Sequence, residues 1–342
     1  MTLCSLREVL DHARAGGYGV GAFNVTDIEQ VEAVLDAAAL TDSPVIVQTI
    51  AGASAFASDE LFWDLLLRTV DHYPRVPVVV HLDHGPDYET CQRAIDAGFS
   101  SVMIDGSLDP ATHQPTSFEA NVAVTKRVVA YAREHGVSVE AELGTIGGSK
   151  DGATHAEIVL ADPEEARRFV AETDVDALAV AIGTSHGAYK FTSPPDGTVL
   201  RMDLIEQIAA LIPGTHLVMH GSSSLPADLR EIINAHGGGL PESWGVPESE
   251  KARSTKLGVT KINQGMDSHM AYAAAMRVTL AADPLAADPA PAAKAGRAAM
   301  SNMIAERMGV FGQAGRAADY EATPVRAEAA LPLPSNAVPS TV

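Results

Sequence analysis

Short apolar runs rich in β-branched residues alternate along this chain with longer stretches whose apolar positions recur three and four apart. That alternation is the pattern of repeated β–α units around a parallel sheet. Eight runs predict strands, over residues 20–23, 44–49, 76–82, 101–104, 138–142, 177–182, 216–219 and 258–262. The stretches between them predict helices, such as 27–40, where Asp27 caps IEQVEAVLDAAAL, and 163–171, opened by the cap Asp162. Eight such units predict an α/β chain folded as a (β/α)8 barrel, with a helix over 5–15 closing its bottom. Beyond strand eight the pattern predicts two extra C-terminal helices, 267–280 and 294–309, joined by a Pro/Ala-rich link. Residues 1–315 read as one barrel domain with its helical extension. Residues 316–342 read as a disordered tail, periodicity being absent from about Tyr320 onward. An open doubly wound sheet would have about five or six strands and a GxGxxG turn after the first, which this chain lacks.

A barrel converts sequence order into geometry. Three of the apolar runs end in His-Gly: His84-Gly85 in VPVVVHLDHG, His186-Gly187 in ALAVAIGTSHG and His220-Gly221 in HLVMHG. They follow strands three, six and seven, so all three imidazoles reach the rim where barrel active sites lie, each followed by a glycine that lets backbone approach a ligand. Three neutral nitrogens with an open fourth position are what a catalytic zinc needs. Two further His-Gly pairs act as a control. His135-Gly136 and His236-Gly237 close helical runs, where glycine suits a left-handed helix end and histidine the negative end of the helix dipole.

Composition narrows the partners. The chain has 342 residues, 46% hydrophobic, enough for one large core. A formal net charge of −20 argues against nucleic acid and anionic membranes. If a phosphorylated substrate binds, its anion must be held by a local pocket against the overall field. Two cysteines, Cys4 and Cys91, give neither a disulfide framework nor metal spacing. No signal peptide or apolar stretch of spanning length is evident, and a reducing cytoplasm is the expected compartment.

The stretches HLDHG, SVMIDGS, VEAELG, AVAIGTSHGAYK, HLVMHGSSS and GVTKIN, in that order, resemble the class II, metal-dependent fructose-bisphosphate aldolases from about Ser5 to about Gly315. The resemblance implies reversible aldol cleavage of fructose 1,6-bisphosphate to dihydroxyacetone phosphate and glyceraldehyde 3-phosphate. A zinc held by His84, His186 and His220 would stabilise the enediolate as a Lewis acid. It implies Asp83 as the acid/base residue for the C4 hydroxyl, and Asp105 and Glu142 as ligands of a second divalent metal or of a displaced zinc. As inward carboxylates at strand ends, those two could instead orient the histidines. Gly187, Lys190, Gly221 and Ser223 match the phosphate cradle, and Asn263 a substrate contact. Arg307 matches an arginine that reaches the second phosphate from a neighbouring subunit, although an arginine on such a helix is also read as a solvated face. A monovalent cation is a further candidate cofactor, and the expected assembly is a homodimer or larger.

Several positions depart from the family pattern. The loop after ELG usually carries a Glu for the carbanion proton, and here GGSKDG sets Ser149 and Lys150 there, leaving Asp151, Glu157 or Lys150 as substitutes. The usual Asn-x-Asp-Thr-Asp reads Asn263-Gln264-Gly265-Met266-Asp267, with Ser268 as a stand-in donor, and Ile50 replaces a common Ser. These changes keep open an aldolase for another ketose phosphate, such as tagatose 1,6-bisphosphate. A barrel zinc hydrolase is the further alternative, but it would show His-x-His on strand one rather than His81-Leu82-Asp83-His84 on strand three.

Overall fold

The computed structural model describes residues 3–112, 114–144, 160–184, 191, 193–285 and 287–320. Within them eight parallel strands close into a barrel in chain order. They are β1 Val20–Asn24, β2 Val45–Thr49, β3 Val78–Gly85, β4 Ser101–Ile104, β5 Ser138–Leu143, β6 Ala177–Val180, β7 His216–Met219 and β8 Val259–Gln264. Closure comes from β1, which pairs with β2 on one side and with β8 on the other, Val20 facing Lys261 and Ala22 facing Asn263.

Eleven α-helices lie among the described residues: α1 Leu6–Gly16, α2 Ile28–Thr41, α3 Asp59–Asp71, α4 Tyr88–Ala97, α5 Phe118–Glu134, α6 Pro163–Thr173, α7 Met202–Leu211, α8 Ala227–Ala235, α9 Glu248–Thr255, α10 Met266–Ala282 and α11 Ala290–Phe311. The predicted caps act as expected. Asp27 accepts the Gln30 N–H and Asp162 the Glu165 N–H, each satisfying a donor that has no partner inside its helix. α1 turns its buried Leu6, Val9, Leu10 and Ala13, spaced three and four apart, onto the barrel floor. α10 and α11 pack on each other, and α11 also lies against α2. None of the described helices is long and apolar enough to cross a membrane.

Inside the barrel, residues two apart on a strand share a face, and the lining changes character along the axis. The floor is apolar, built from Val20, Ala22, Ile46, Val79, Ala177, Ala179 and Val218 against α1. One strand step higher the interior turns polar, with Gln48, His81, Ser101, Glu140 and Lys261 all fully buried. Higher still come Asp83, Glu142, His220 and Asn263. A predominantly apolar layer below and a charged one above fix which end can do chemistry.

Strand and helix limits agree with the sequence reading to within a few residues, and β3 departs most. It runs on through His84 to Gly85, with a register shift between Leu82 and Gly85. His84 sits there at φ +48, a left-handed conformation that residues bearing a Cβ rarely adopt. A Cβ on Gly85 would lie 2.6 Å from the Met103 carbonyl oxygen and 2.7 Å from Cys91 Sγ. That glycine is thus required by the packing of β3 on β4 and α4. The chain beyond Phe311 also stays ordered further than expected: a short 3-10 turn spans Ala317–Asp319, and Tyr320 is buried. The Tyr320 hydroxyl meets Tyr18 Oη at 2.7 Å and donates to Val9 O at 3.2 Å.

Candidate active site

Three strands bring the central groups together: β3 carries Asp83 and His84, β5 carries Glu140 and Glu142, and β7 ends at Met219 just before His220. Asp105 follows β4 and reaches His84 Nδ1 with Oδ2 at 2.9 Å, while its Oδ1 accepts the Ser107 hydroxyl at 2.6 Å. Glu140 Oε1 lies 2.8 Å from His220 Nε2. A carboxylate accepts only, so each of these ring nitrogens carries the hydrogen. The lone pairs are then on His84 Nε2 and His220 Nδ1, and those two atoms face each other at 3.1 Å. Two facing lone pairs repel unless a cation lies against both. A tetrahedral zinc with nitrogens at ~2.0–2.1 Å sets them about 3.3 Å apart, so this donor pair fits such an ion.

Carboxylates complete the surroundings. Asp83 Oδ1 lies 4.0 Å from His84 Nε2, and Glu142 Oε2 lies 3.7 Å from His220 Nδ1 and 4.0 Å from His84 Nδ1. Asp83, His84 and His220 can turn ligand atoms toward one point, and His84, Asp105 and Glu142 toward another. His186, the third expected imidazole, lies outside the described residues, as do Gly187, Lys190, Ser149, Lys150, Asp151 and Glu157.

The Asp83 carboxylate is gripped by amides from three other strands. Asn24 Nδ2 donates to Oδ2 at 2.8 Å, Gln48 Nε2 to the same oxygen at 3.2 Å, and Asn263 Nδ2 to Oδ1 at 3.2 Å. Burial alone would push its pKa up, but the neighbouring His84, His220 and Lys261 outweigh this and hold it well below the usual carboxylate range. It is therefore ionised and fixed in orientation. Beneath it, Lys261 Nζ forms an ion pair with Glu140 Oε2 at 2.8 Å and donates to Asn263 Oδ1 at 2.8 Å. Glu140 is pulled down to about 2: burial opposes ionisation, and Lys261 and His220 more than offset it. His81, also buried here, is held down to about 3 by burial and by Lys261. A continuous chain of polar contacts thus runs from His220 through Glu140, Lys261 and Asn263 to Asp83.

Glu140, Lys261, Gln48 and Asn24 did not emerge from the sequence as site residues. Their one sequence signal is a polar residue at an inward-facing position of a strand. The remaining expectations fare differently. Gly221 takes φ +59, and the Ser223 hydroxyl accepts the Met266 N–H at 3.2 Å, in the loop after β7. Ser268 donates to Gly265 O at 2.9 Å and is buried, so its hydroxyl is spent inside its own helical turn. Arg307 is not on a solvated face. It is 4% exposed, and its Nε pairs with Glu248 at 3.0 Å and Asp267 at 3.4 Å within its own chain. A half-buried carboxylate on α9 and a buried one on α10 hold it inward. The control histidines behave as predicted: His135 Nδ1 bonds Tyr131 O and His236 Nδ1 bonds Ile232 O, with Gly136 and Gly237 left-handed.

The family described as fructose-bisphosphate aldolase class-II matches residues 4–316. A fructose-bisphosphate aldolase of Nostoc sp. (strain PCC 7120) is 49% identical over 329 residues, which covers 93% of this chain and 92% of that protein. A fructose-bisphosphate aldolase of Pseudomonas aeruginosa is 48% identical over 330 residues, 93% of each. Among solved structures, the YdjI aldolase from Escherichia coli K12 superposes with a TM-score of 0.72 at 27% identity, over 92% of this chain and 99% of that one. The chain belongs to the class II fructose-bisphosphate aldolase family, and it is a carbon–carbon lyase of that class.

Proposed function

We propose that this chain cleaves and re-forms fructose 1,6-bisphosphate, giving dihydroxyacetone phosphate and glyceraldehyde 3-phosphate, with zinc held by His84, His220 and His186. The observation that carries the reading is the facing pair His84 Nε2 and His220 Nδ1 at 3.1 Å, each ring fixed by a carboxylate on its far nitrogen. When bound, zinc supplies a Lewis acid that polarises the substrate carbonyl. The chain's own groups do the rest. Asp83, ionised and held by three amides, takes the proton of the C4 hydroxyl in cleavage and returns it to the aldehyde in condensation. Asn263 links that carboxylate to Lys261 and presents its amide beside the substrate. Asp105 and Glu140 orient His84 and His220, and Asp105 and Glu142 are the candidates for a second divalent ion. Gly221 and Ser223, with Gly187 and Lys190, hold a phosphate.

A second reading, an aldolase for the C4 epimer tagatose 1,6-bisphosphate, has one observation in its favour. With Gly265 and Met266 at the usual Asp-Thr positions, and Ser268 bonded to Gly265 O, this turn offers no replacement side-chain donor. Chelation tests the metal reading: prolonged treatment should abolish cleavage, zinc or cobalt should restore it, and borohydride with substrate should trap no adduct. Cleavage that survives chelation refutes it. Rates on the two epimers, measured on the same zinc-loaded sample, decide between the substrates.

A further inference from the structure

The loop that follows β7 is fastened from behind by two buried cations and two carboxylates carried on three helices. Asp267, in the first turn of α10 and 1% exposed, spends one oxygen on each of two backbone donors: Ser224 N–H at 3.0 Å and Leu225 N–H at 2.9 Å. Lys251 of α9, fully buried, donates to Ser224 Oγ at 2.7 Å and pairs with Glu248 at 2.8 Å. Arg307 of α11 bridges Glu248 and Asp267. The loop needs such support, because Leu225 sits at φ +55, a conformation unfavourable for a residue with a Cβ and kept only where its surroundings impose it.

Two arguments connect this cluster to anion binding. Asp267 and Glu248 put two negative charges behind a loop that would receive a phosphate, and Arg307 and Lys251 balance them. Burying three charges and half-burying a fourth is also a costly way to gain stability, since a well-packed apolar cluster would serve as well or better. What the cluster supplies is a fixed direction for two loop amides. Resting on the aldolase reading above, we infer that Arg307, acting through Asp267, is a positioning residue that sets the loop 221–225 for phosphate binding.

The test uses the full-length, zinc-loaded protein as wild type, Arg307→Met, Arg307→Lys and Asp267→Asn. Calorimetric titration gives affinity for inorganic phosphate, steady-state cleavage of fructose 1,6-bisphosphate gives KM and kcat separately, and hydrogen exchange reads the Ser224 and Leu225 amides. Arg307→Met should weaken phosphate binding about tenfold and raise KM by a similar factor, with kcat changed no more than about threefold and faster exchange at both amides. Arg307→Lys should recover part of each, and Asp267→Asn, with one acceptor lost, should reproduce the faster exchange. Unchanged phosphate affinity and exchange, or a fall in kcat with KM intact, overturns the inference. If Arg307→Met does not fold, the near-isosteric Asp267→Asn decides on the same readouts. Wild type that binds phosphate without cleaving the bisphosphate sinks the aldolase reading, and the titration still decides the positioning role. Wild type that cleaves while Arg307→Met matches it in every measurement sinks the positioning role alone.

Discussion

β7 and the residue after it deliver two histidines to the barrel interior four residues apart, and their surroundings differ completely. His216, at the floor, is saturated by its own chain: Arg14 Nη2 donates to Nδ1 at 2.8 Å, and Nε2 donates to Asp11 Oδ1 at 2.9 Å. His220, at the mouth, gives its Nε2 hydrogen to Glu140 and aims Nδ1 at another imidazole nitrogen. Both rings are fully buried, so burial does not separate them. What separates a framework histidine from a ligand is the partner of the second nitrogen: a hydrogen-bond donor in one case, a competing lone pair in the other.

The sharpest way to break this contrast is to truncate each ring. His220→Ala should lose bound metal and lower cleavage by about three orders of magnitude or more, since Lewis-acid stabilisation contributes several kcal/mol. His216→Ala should keep metal and turnover and lose about 2–4 kcal/mol of stability in urea unfolding, from the cavity and from Arg14 and Asp11 left without their partner. Metal loss in His216→Ala would erase the distinction. A smaller effect is expected from Glu140→Gln, where the carboxylate that fixes His220 becomes a neutral amide. Zinc affinity measured against a competing chelator should weaken about 10–100-fold.

The smallest effect is on pH dependence, and it belongs to the floor. Burial and the charge of Arg14 hold His216 down to about 4, against an ordinary value of 6.5. Between those values the unfolded chain binds the extra proton and the folded one does not. His216 thus lowers stability as pH falls from 6.5 toward 4, with no further loss below. Its share is read as the difference in acid slope between wild type and His216→Gln, with the variant expected to lose less stability over this range. Identical slopes would mean that His216 titrates normally.

Much of the scaffold was legible because its causes are local. Alternation of β-branched runs with helical spacing marked all eight strands, and the caps Asp27 and Asp162 marked two helix starts. The His-Gly endings marked the mouth, since strand order in a parallel barrel places successive strand ends on one rim. The polar layer beneath was not legible. Glu140 and Lys261 lie three strands apart in chain order, and only barrel closure brings Nζ to 2.8 Å from the carboxylate. The burial of Arg307 was hidden for a similar reason. A lone arginine on a C-terminal helix looks solvated until α9 and α10 are seen to set two acids against it. The extension of β3 through His84 rests on a left-handed residue, which no periodicity announces.

Gln313 lies after α11, yet its side chain accepts the Gly21 N–H at 2.6 Å and donates to Pro44 O at 2.7 Å, both buried at the start of the first two strands. Two peptide groups near the beginning of the polypeptide therefore wait for a residue synthesised nearly three hundred positions later. A chain ending before Gln313 would lack both the acceptor for the Gly21 N–H and the donor for the Pro44 carbonyl. The last helix and the turn after it thereby act as a completeness seal, stabilising the cylinder only in molecules whose translation has run at least that far.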